Sequence, residues 1–164
     1  MLPFIALTPE IKKIDCALES TAKKDAVIKP LMTVPGVGYL TALTYKVVVD
    51  EPTRFKNARA VGAYLGICPS MYASGQTKRQ GRISKRGSQE LRTLLTGAGL
   101  CLLVHFKKPS SLKTWGAKIQ DKRGTKKAAT AVRRKMSVIM HQLWCKNLTF
   151  DPSAIEEKNP STSI

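Results

Sequence analysis

Apolar residues along this chain recur at three-to-four spacing, the period of helices that bury one side. Ile11, Ile14 and Leu18 share a face, with Lys12, Asp15 and Glu19 away from it. Thr8-Pro9-Glu10 supplies a cap, a first-turn proline and an acid, so an amphipathic helix is predicted over residues 8–24. Its narrow stripe suits either packing on the domain or the end of a coiled coil. Leu40, Ala42, Leu43 and Val47 predict the inward face of a helix over 39–49, closed by Asp50-Glu51-Pro52-Thr53. A helix over 58–65 ends at Gly66. Another over 89–106 carries Leu91, Leu94, Leu95, Ala98 and Leu102, with Ser88 as its cap and Pro109 beyond its end. Gly97 and Gly99 lower its propensity, so close packing against a neighbour is expected to hold it. Ser110 or Ser111 opens a short helix ending near Gly124, and Thr125 starts a long one to about Cys145. In that last helix Ala128, Ala131, Val132, Met136, Ile139, Met140 and Leu143 recur on one side, while Lys126, Lys127, Arg133 and Arg134 leave another side cationic. Strand-like alternation is confined to residues 71–73 and 82–84, which could pair as a small hairpin. The fold class expected is all-α, with residues 1–30 an N-terminal helix, 31–150 a helical domain and 151–164 a disordered tail.

Two connections carry candidate chemistry. The first is Pro35-Gly36-Val37-Gly38 between two helical patterns, which reads as a helix-hairpin-helix. Gly36 and Gly38 would let backbone N–H groups turn outward at a helix N-terminus, where they bind phosphate without reading sequence. A plain tight turn between helices is the alternative. The second is Ala73-Ser74-Gly75, a hydroxyl placed on a loop expected to be irregular. From Ser74 to Arg92 six cations (Lys78, Arg79, Arg82, Lys85, Arg86, Arg92) face one acid, Glu90. An alcohol needs activation to attack phosphorus, and guanidinium and ammonium groups stabilise the charge that develops on the non-bridging oxygens. A serine that merely caps a turn is the competing reading.

Charge narrows the partner class. A net charge of +17 and a pI near 10.1 are the footprint of a polyanion binder. It is concentrated in Ser74–Arg92 and in residues 107–135, where eleven Lys and Arg meet only Asp121. Neither stretch carries a strongly apolar helix face, so nucleic acid fits better than a membrane surface. The apolar run over 94–106 is too short to span a bilayer. Cys16, Cys68, Cys101 and Cys145 lie far apart, which argues against zinc and a disulfide framework and for free thiols in a reducing cytoplasm. The start MLPFIAL has no basic n-region of a signal peptide. His105 and His141 sit in apolar helical stretches and read as structural. The eleven acids are scattered, with no carboxylate set of the kind two-metal nucleases need, so no metal is expected on this chain.

Four stretches taken in order carry a family resemblance: LMTVPGVGYLTA (31–42), RFKNARAVGAYLGICPSMYASG (54–75), GRISKRGSQELRTLL (81–95) and KKAATAVRRKMSVIMHQLWCKNLTFDP (126–152). Together they resemble the C-terminal, serine-bearing domain of the insertion-sequence transposases known as RNA-guided bridge recombinases, and their invertase relatives. Residues 9–30 resemble the end of that family's coiled-coil linker. The resemblance implies that Ser74 forms a covalent link to a DNA phosphate, in a composite site shared with a metal-binding DEDD domain. It also implies a structured guide RNA, oligomeric action and Mg²⁺ held by the DEDD domain. Thirty residues before the hairpin cannot hold such a domain. The expectation is therefore a truncated transposase, not active alone, that needs acids and Mg²⁺ in trans. The competing reading is a non-catalytic helix-hairpin-helix module that binds DNA or RNA.

Overall fold

The computed structural model describes residues 2–74 and 77–153, and for residues 2–6, 71–74, 77–80 and 82 the backbone alone. In chain order it has α1 (Leu2–Lys24), α2 (Ile28–Met32), α3 (Tyr39–Val49), a 3-10 turn (Pro52–Arg54) and α4 (Ala58–Tyr64). Strands β1 (Pro69–Ser74) and β2 (Thr77–Ile83) follow, then α5 (Gln89–Val104), α6 (Ser111–Arg123) and α7 (Thr125–Lys146). The architecture is all-α, interrupted by one antiparallel hairpin.

The central element is α7, which packs against α2, α4, α5, α6 and the 3-10 turn. Its expected apolar side is the buried one: Ala128, Val132, Met136 and Met140 have no exposed surface. Burial of this kind is the main stabilising term, at about 25 cal/mol per Å² of apolar surface. Small residues set how closely the neighbours approach. A Cβ on Gly99 of α5 would lie 3.3 Å from the Ala129 carbonyl oxygen, and one on Gly116 of α6 would lie 2.8 Å from Val132 Cγ2. Close packing therefore accounts for Gly99, but a Cβ on Gly97 would meet nothing within 4 Å. The buried Tyr45 hydroxyl donates to the Ser137 carbonyl at 2.7 Å and ties α3 to α7, and burial raises its pKa above the usual tyrosine range. Side-chain caps appear where the sequence places them: Ser88 Oγ accepts from Leu91 N–H and Ser110 Oγ from Lys113 N–H, each at 3.2 Å.

Three expectations are corrected. The first helix begins at Leu2, with Pro9 inside it, so Thr8 does not start it. A proline forfeits one backbone hydrogen bond, and here the helix continues upstream of it regardless. Ile11 and Ile14 do not pack on the domain: they are 57% and 60% exposed, as is Leu7 at 58%. The helix joins the body along its second half, where Leu18 is half-buried, Ala22 is buried and Tyr39 Oη donates to Asp15 Oδ1 at 3.2 Å. In α3 the inward face is Thr41, Ala42, Tyr45 and Val49, whereas Leu40 and Val47 face solvent. That helix is apolar nearly all round, so spacing alone could not choose its face, and the tyrosine with a waiting acceptor did. The expected tail beyond Ser153 lies outside the described residues.

Asp25 joins α1, α2 and α3. Its Oδ1 accepts from Val27 N–H at 2.8 Å and Ile28 N–H at 3.2 Å, and its Oδ2 is paired with Lys46 of α3. The hydrogen bond from Lys46, helped by the two backbone N–H groups and opposed by partial burial, holds this carboxyl below the usual aspartate value. A depressed folded pKa stabilises above about pH 3.9, and that stabilisation is lost as pH falls through the lower folded value. Asp25→Asn is expected to lower stability by about 1 kcal/mol at pH 7, the pair being partly solvent-screened. The deficit should shrink towards zero below the folded pKa, which thermal unfolding from pH 7 down to about 2.5 would read.

Candidate nucleic-acid interface

The hairpin carrying Ser74 pairs Met71 with Gln80, Tyr72 with Arg79, Ala73 with Lys78 and Ser74 with Thr77. A hairpin was expected here, but with 71–73 opposite 82–84; the observed register closes with Ser74 opposite Thr77 and shifts by one position at an irregularity between Pro69 and Met71. Proline has no N–H to give the ladder, so a shift at Pro69 is where one belongs. Ser74 thus ends a strand at the tip of the hairpin and is not on an irregular loop. The expectation for the reach and neighbours of its side chain lies outside what is described. By register Lys78 and Arg79 pair one and two positions below the Ser74 pair, and Arg82 comes near the end of β2. Ile83 is roughly 20 Å along the strand from Thr77 at ~3.3 Å per residue. Lys85 and Arg86 lie past it, so they are at the base and not within a side-chain length of Ser74.

That base is tied to the helical body. Ser84 N–H donates to the Cys68 carbonyl at 3.0 Å and Lys85 N–H to the Gly66 carbonyl at 3.1 Å. The two legs lie in close backbone contact where Gly66 (φ +66) meets Arg86 and Gly87 (φ +91) meets Tyr64. A Cβ on Gly66 would lie 1.8 Å from the Arg86 carbonyl oxygen, and one on Gly87 would lie 2.3 Å from that of Tyr64. From α5, Arg92 Nη1 donates to the Gly87 carbonyl at 2.8 Å and the Arg86 carbonyl at 3.1 Å on one leg and to the Leu65 carbonyl at 3.4 Å on the other.

A second cationic feature forms at the corner between α6 and α7. Gly124 (φ +79) turns the chain, and a groove of about 620 Å³ runs along the corner. Lys122, Arg123, Lys126 and Lys127, all exposed, line it together with Ile119, Thr130 and Ala131. Among the described residues the ion pairs are Glu10–Lys13, Glu19–Lys23 and Asp25–Lys46, so these four cations are unneutralised. Lys126 and Lys127 are where the sequence puts them. Lys122 and Arg123 were not singled out, although a pair of cations on each side of a helix-breaking glycine was legible.

Arg133 departs from expectation. It is not on an exposed cationic face of α7 but is only 7% exposed, with Nη1 donating to Thr96 Oγ1 at 2.8 Å; Arg134 beside it is exposed. Gly36 and Gly38 also separate. Gly36 (φ +85) packs on α5, where a Cβ would come within 2.5 Å of the Ala98 carbonyl oxygen. Gly38 is exposed at the start of α3, whose first N–H groups receive no side-chain cap.

The profile of the IS116/IS110/IS902 transposase family matches residues 28–115, just over half of the chain and the stretch that holds the hairpin and its base. The chain belongs to that family. It is 33% identical over 134 residues to the transposase for insertion sequence element IS1111A of Coxiella burnetii, covering 81% of this chain and 37% of that one. It is 27% identical over 147 residues to a probable family 20 transposase of Pseudomonas aeruginosa, covering 89% and 44% respectively. A pilin gene-inverting protein of Moraxella lacunata is 28% identical over 123 residues, which are 74% of this chain and 38% of that protein. The chain thus spans less than half the length of these curated relatives.

In this transposase-family chain the described residues do not bring together three His, Cys, Asp or Glu side chains, and the Mg²⁺ that the resemblance implies belongs to the DEDD domain. His141 is buried and structural: its Nε2 lies 2.9 Å from the Pro52 carbonyl oxygen, and its ring meets Phe55 edge-on at 5.7 Å. His105 caps the end of α5. No described helix is long and apolar enough to cross a membrane.

Proposed function

We propose that this chain is the serine-bearing domain of a DNA transposase of the RNA-guided recombinase type, with Ser74 as the nucleophile. The observation that carries the reading is a serine at the tip of a hairpin whose base is locked to a cationic helical body. In the proposed step the Ser74 oxygen bonds to phosphorus of a DNA strand and an ester oxygen of that strand leaves, so the strand end is held on the protein. Lys78 and Arg79, paired one and two positions from Ser74, would stabilise the charge on the non-bridging oxygens, and Arg82, farther down β2, would hold a neighbouring backbone phosphate. Lys85 and Arg86 at the base, Gly38 at the head of α3, and Lys122, Arg123, Lys126, Lys127 and Arg134 would hold backbone phosphates of DNA or of a guide RNA. The acids of the reaction would come from a DEDD domain supplied by the longer protein, and the assembly would be a homo-oligomer.

The test is a covalent adduct. Given the DEDD-bearing part of a relative, guide RNA, a DNA target and Mg²⁺, wild type is expected to yield a DNA–protein adduct stable to denaturing electrophoresis, and Ser74→Ala none. DNA affinity should stay within about twofold, because the serine contributes little to binding. Equal adduct from both proteins would remove Ser74 from the chemistry. A second reading, a non-catalytic DNA- or RNA-binding module, is favoured by the exposed groove at the α6–α7 corner. It predicts binding by both proteins and an adduct from neither.

A further inference from the structure

Between α5, α7 and the chain leaving β2 lies a recess of about 310 Å³, separate from the α6–α7 groove. Its lining includes Lys85, Arg92 and Arg133, with Gln89, Thr93 and Thr96, and contains no carboxylate. Arg133 is unusual in it. A guanidinium stays charged at any ordinary pH, yet this one is 7% exposed and none of the ion pairs among the described residues includes it. Its Nη1 is held by Thr96, and Thr96 Oγ1 in turn donates to the Arg92 carbonyl at 2.6 Å. Its Nε is fully buried and has no partner. A second cation, Arg92, stands close enough to push the Arg133 pKa down further than burial already does. A buried, partly unpaired charge beside a like charge is costly, and an anion in the recess would offset that cost.

We propose that this recess is a seat for a single nucleic-acid backbone phosphate, bound through Arg133, Arg92 and Lys85. This rests on the reading of the chain as a DNA-handling domain, and adds to it where the strand is anchored. The seat is at the hairpin base, so the phosphate it takes is not the one beside Ser74. Phosphate is favoured over an acidic side chain because a tetrahedral oxyanion can accept from the Lys85 ammonium and from the guanidinium of Arg133 that lines the recess, while carrying the charge that two arginines and a lysine lack. Arg92 supplies charge mainly, since its Nη1 is engaged with the hairpin carbonyls.

The experiment compares the full chain with Arg133→Met, which removes the charge, keeps the apolar stem and should fold at least as well. Inorganic phosphate at millimolar concentration should raise the unfolding temperature of wild type by a few degrees over chloride at equal ionic strength, and leave that of Arg133→Met unmoved. On a duplex DNA, Arg133→Met should lose about one unit of salt slope, so its affinity falls roughly 3.5-fold less than that of wild type between 50 and 200 mM salt. Should Arg133→Met fail to fold, Lys85→Met on the exposed lip is expected to cut the phosphate response at least by half. A phosphate response equal to that of chloride, or undiminished in the variants, overturns the seat. A response lost in the variant with an unchanged DNA slope overturns the backbone-phosphate assignment and points to a free phosphate or an acidic side chain as occupant. Absence of duplex binding by wild type would instead reject the DNA-handling reading itself.

Discussion

Replacing Lys122, Arg123, Lys126 and Lys127 together by alanine is expected to remove most of the salt dependence of DNA binding. Each neutralised phosphate contributes about 0.9 to the slope of log affinity against log salt. If the whole surface engages about six phosphates, wild-type affinity should fall roughly a thousandfold between 50 and 200 mM salt; with about two left, the fall should be near tenfold. The four cations sit around one turn, exposed and free of ion pairs, so their loss should leave the fold intact. The weakening should be alike for duplexes of any sequence, since phosphate contacts position without reading bases. Filter binding or anisotropy across a salt series measures it, and an unchanged slope would place the interface elsewhere on the molecule.

Gly66→Ala is expected to destabilise by about 3 kcal/mol or more, while Gly97→Ala should stabilise by about 0.5–1 kcal/mol. The chemical change is the same in both. At Gly66 the new methyl would sit 1.8 Å from a backbone carbonyl oxygen and the residue would have to hold φ +66. A backbone atom on the neighbouring leg cannot step aside as a flexible side chain could, so the hairpin base must open. At Gly97 a helix interior gains a better helix former with open space around it. Urea unfolding of the two variants beside wild type reads both signs, and a destabilised Gly97→Ala would mean that its helix face is covered by something.

Helices were legible because their signals are local. Ser88, Ser110, Gly124 and the apolar side of α7 could each be read within a turn or two of sequence, and the structure uses them so. What escaped depended on distant partners. The face of α3 was fixed by a carbonyl on Ser137, 92 positions away along the chain. Arg133 has the same local pattern as Arg134, yet one is buried against Thr96 and the other is exposed, a difference that only the crossing of α5 and α7 creates. The same limit applies to the candidate site. A serine followed by cations was visible, but which of those cations lie at the tip and which at the base is decided by strand register, which closes with Ser74 opposite Thr77.

The base of the hairpin is held by close backbone contact at Gly66 and Gly87 and by the Arg92 guanidinium, so the length of the two strands above it can vary apart from that base. Adding two residues to each strand would lengthen the hairpin by about 6.6 Å and return Ser74 to the same face of the ribbon, whereas one residue per strand would turn it to the other face. The distance from the base at which the proposed nucleophile is presented can therefore change in steps of two residues per strand, while the base stays where the two glycines hold it.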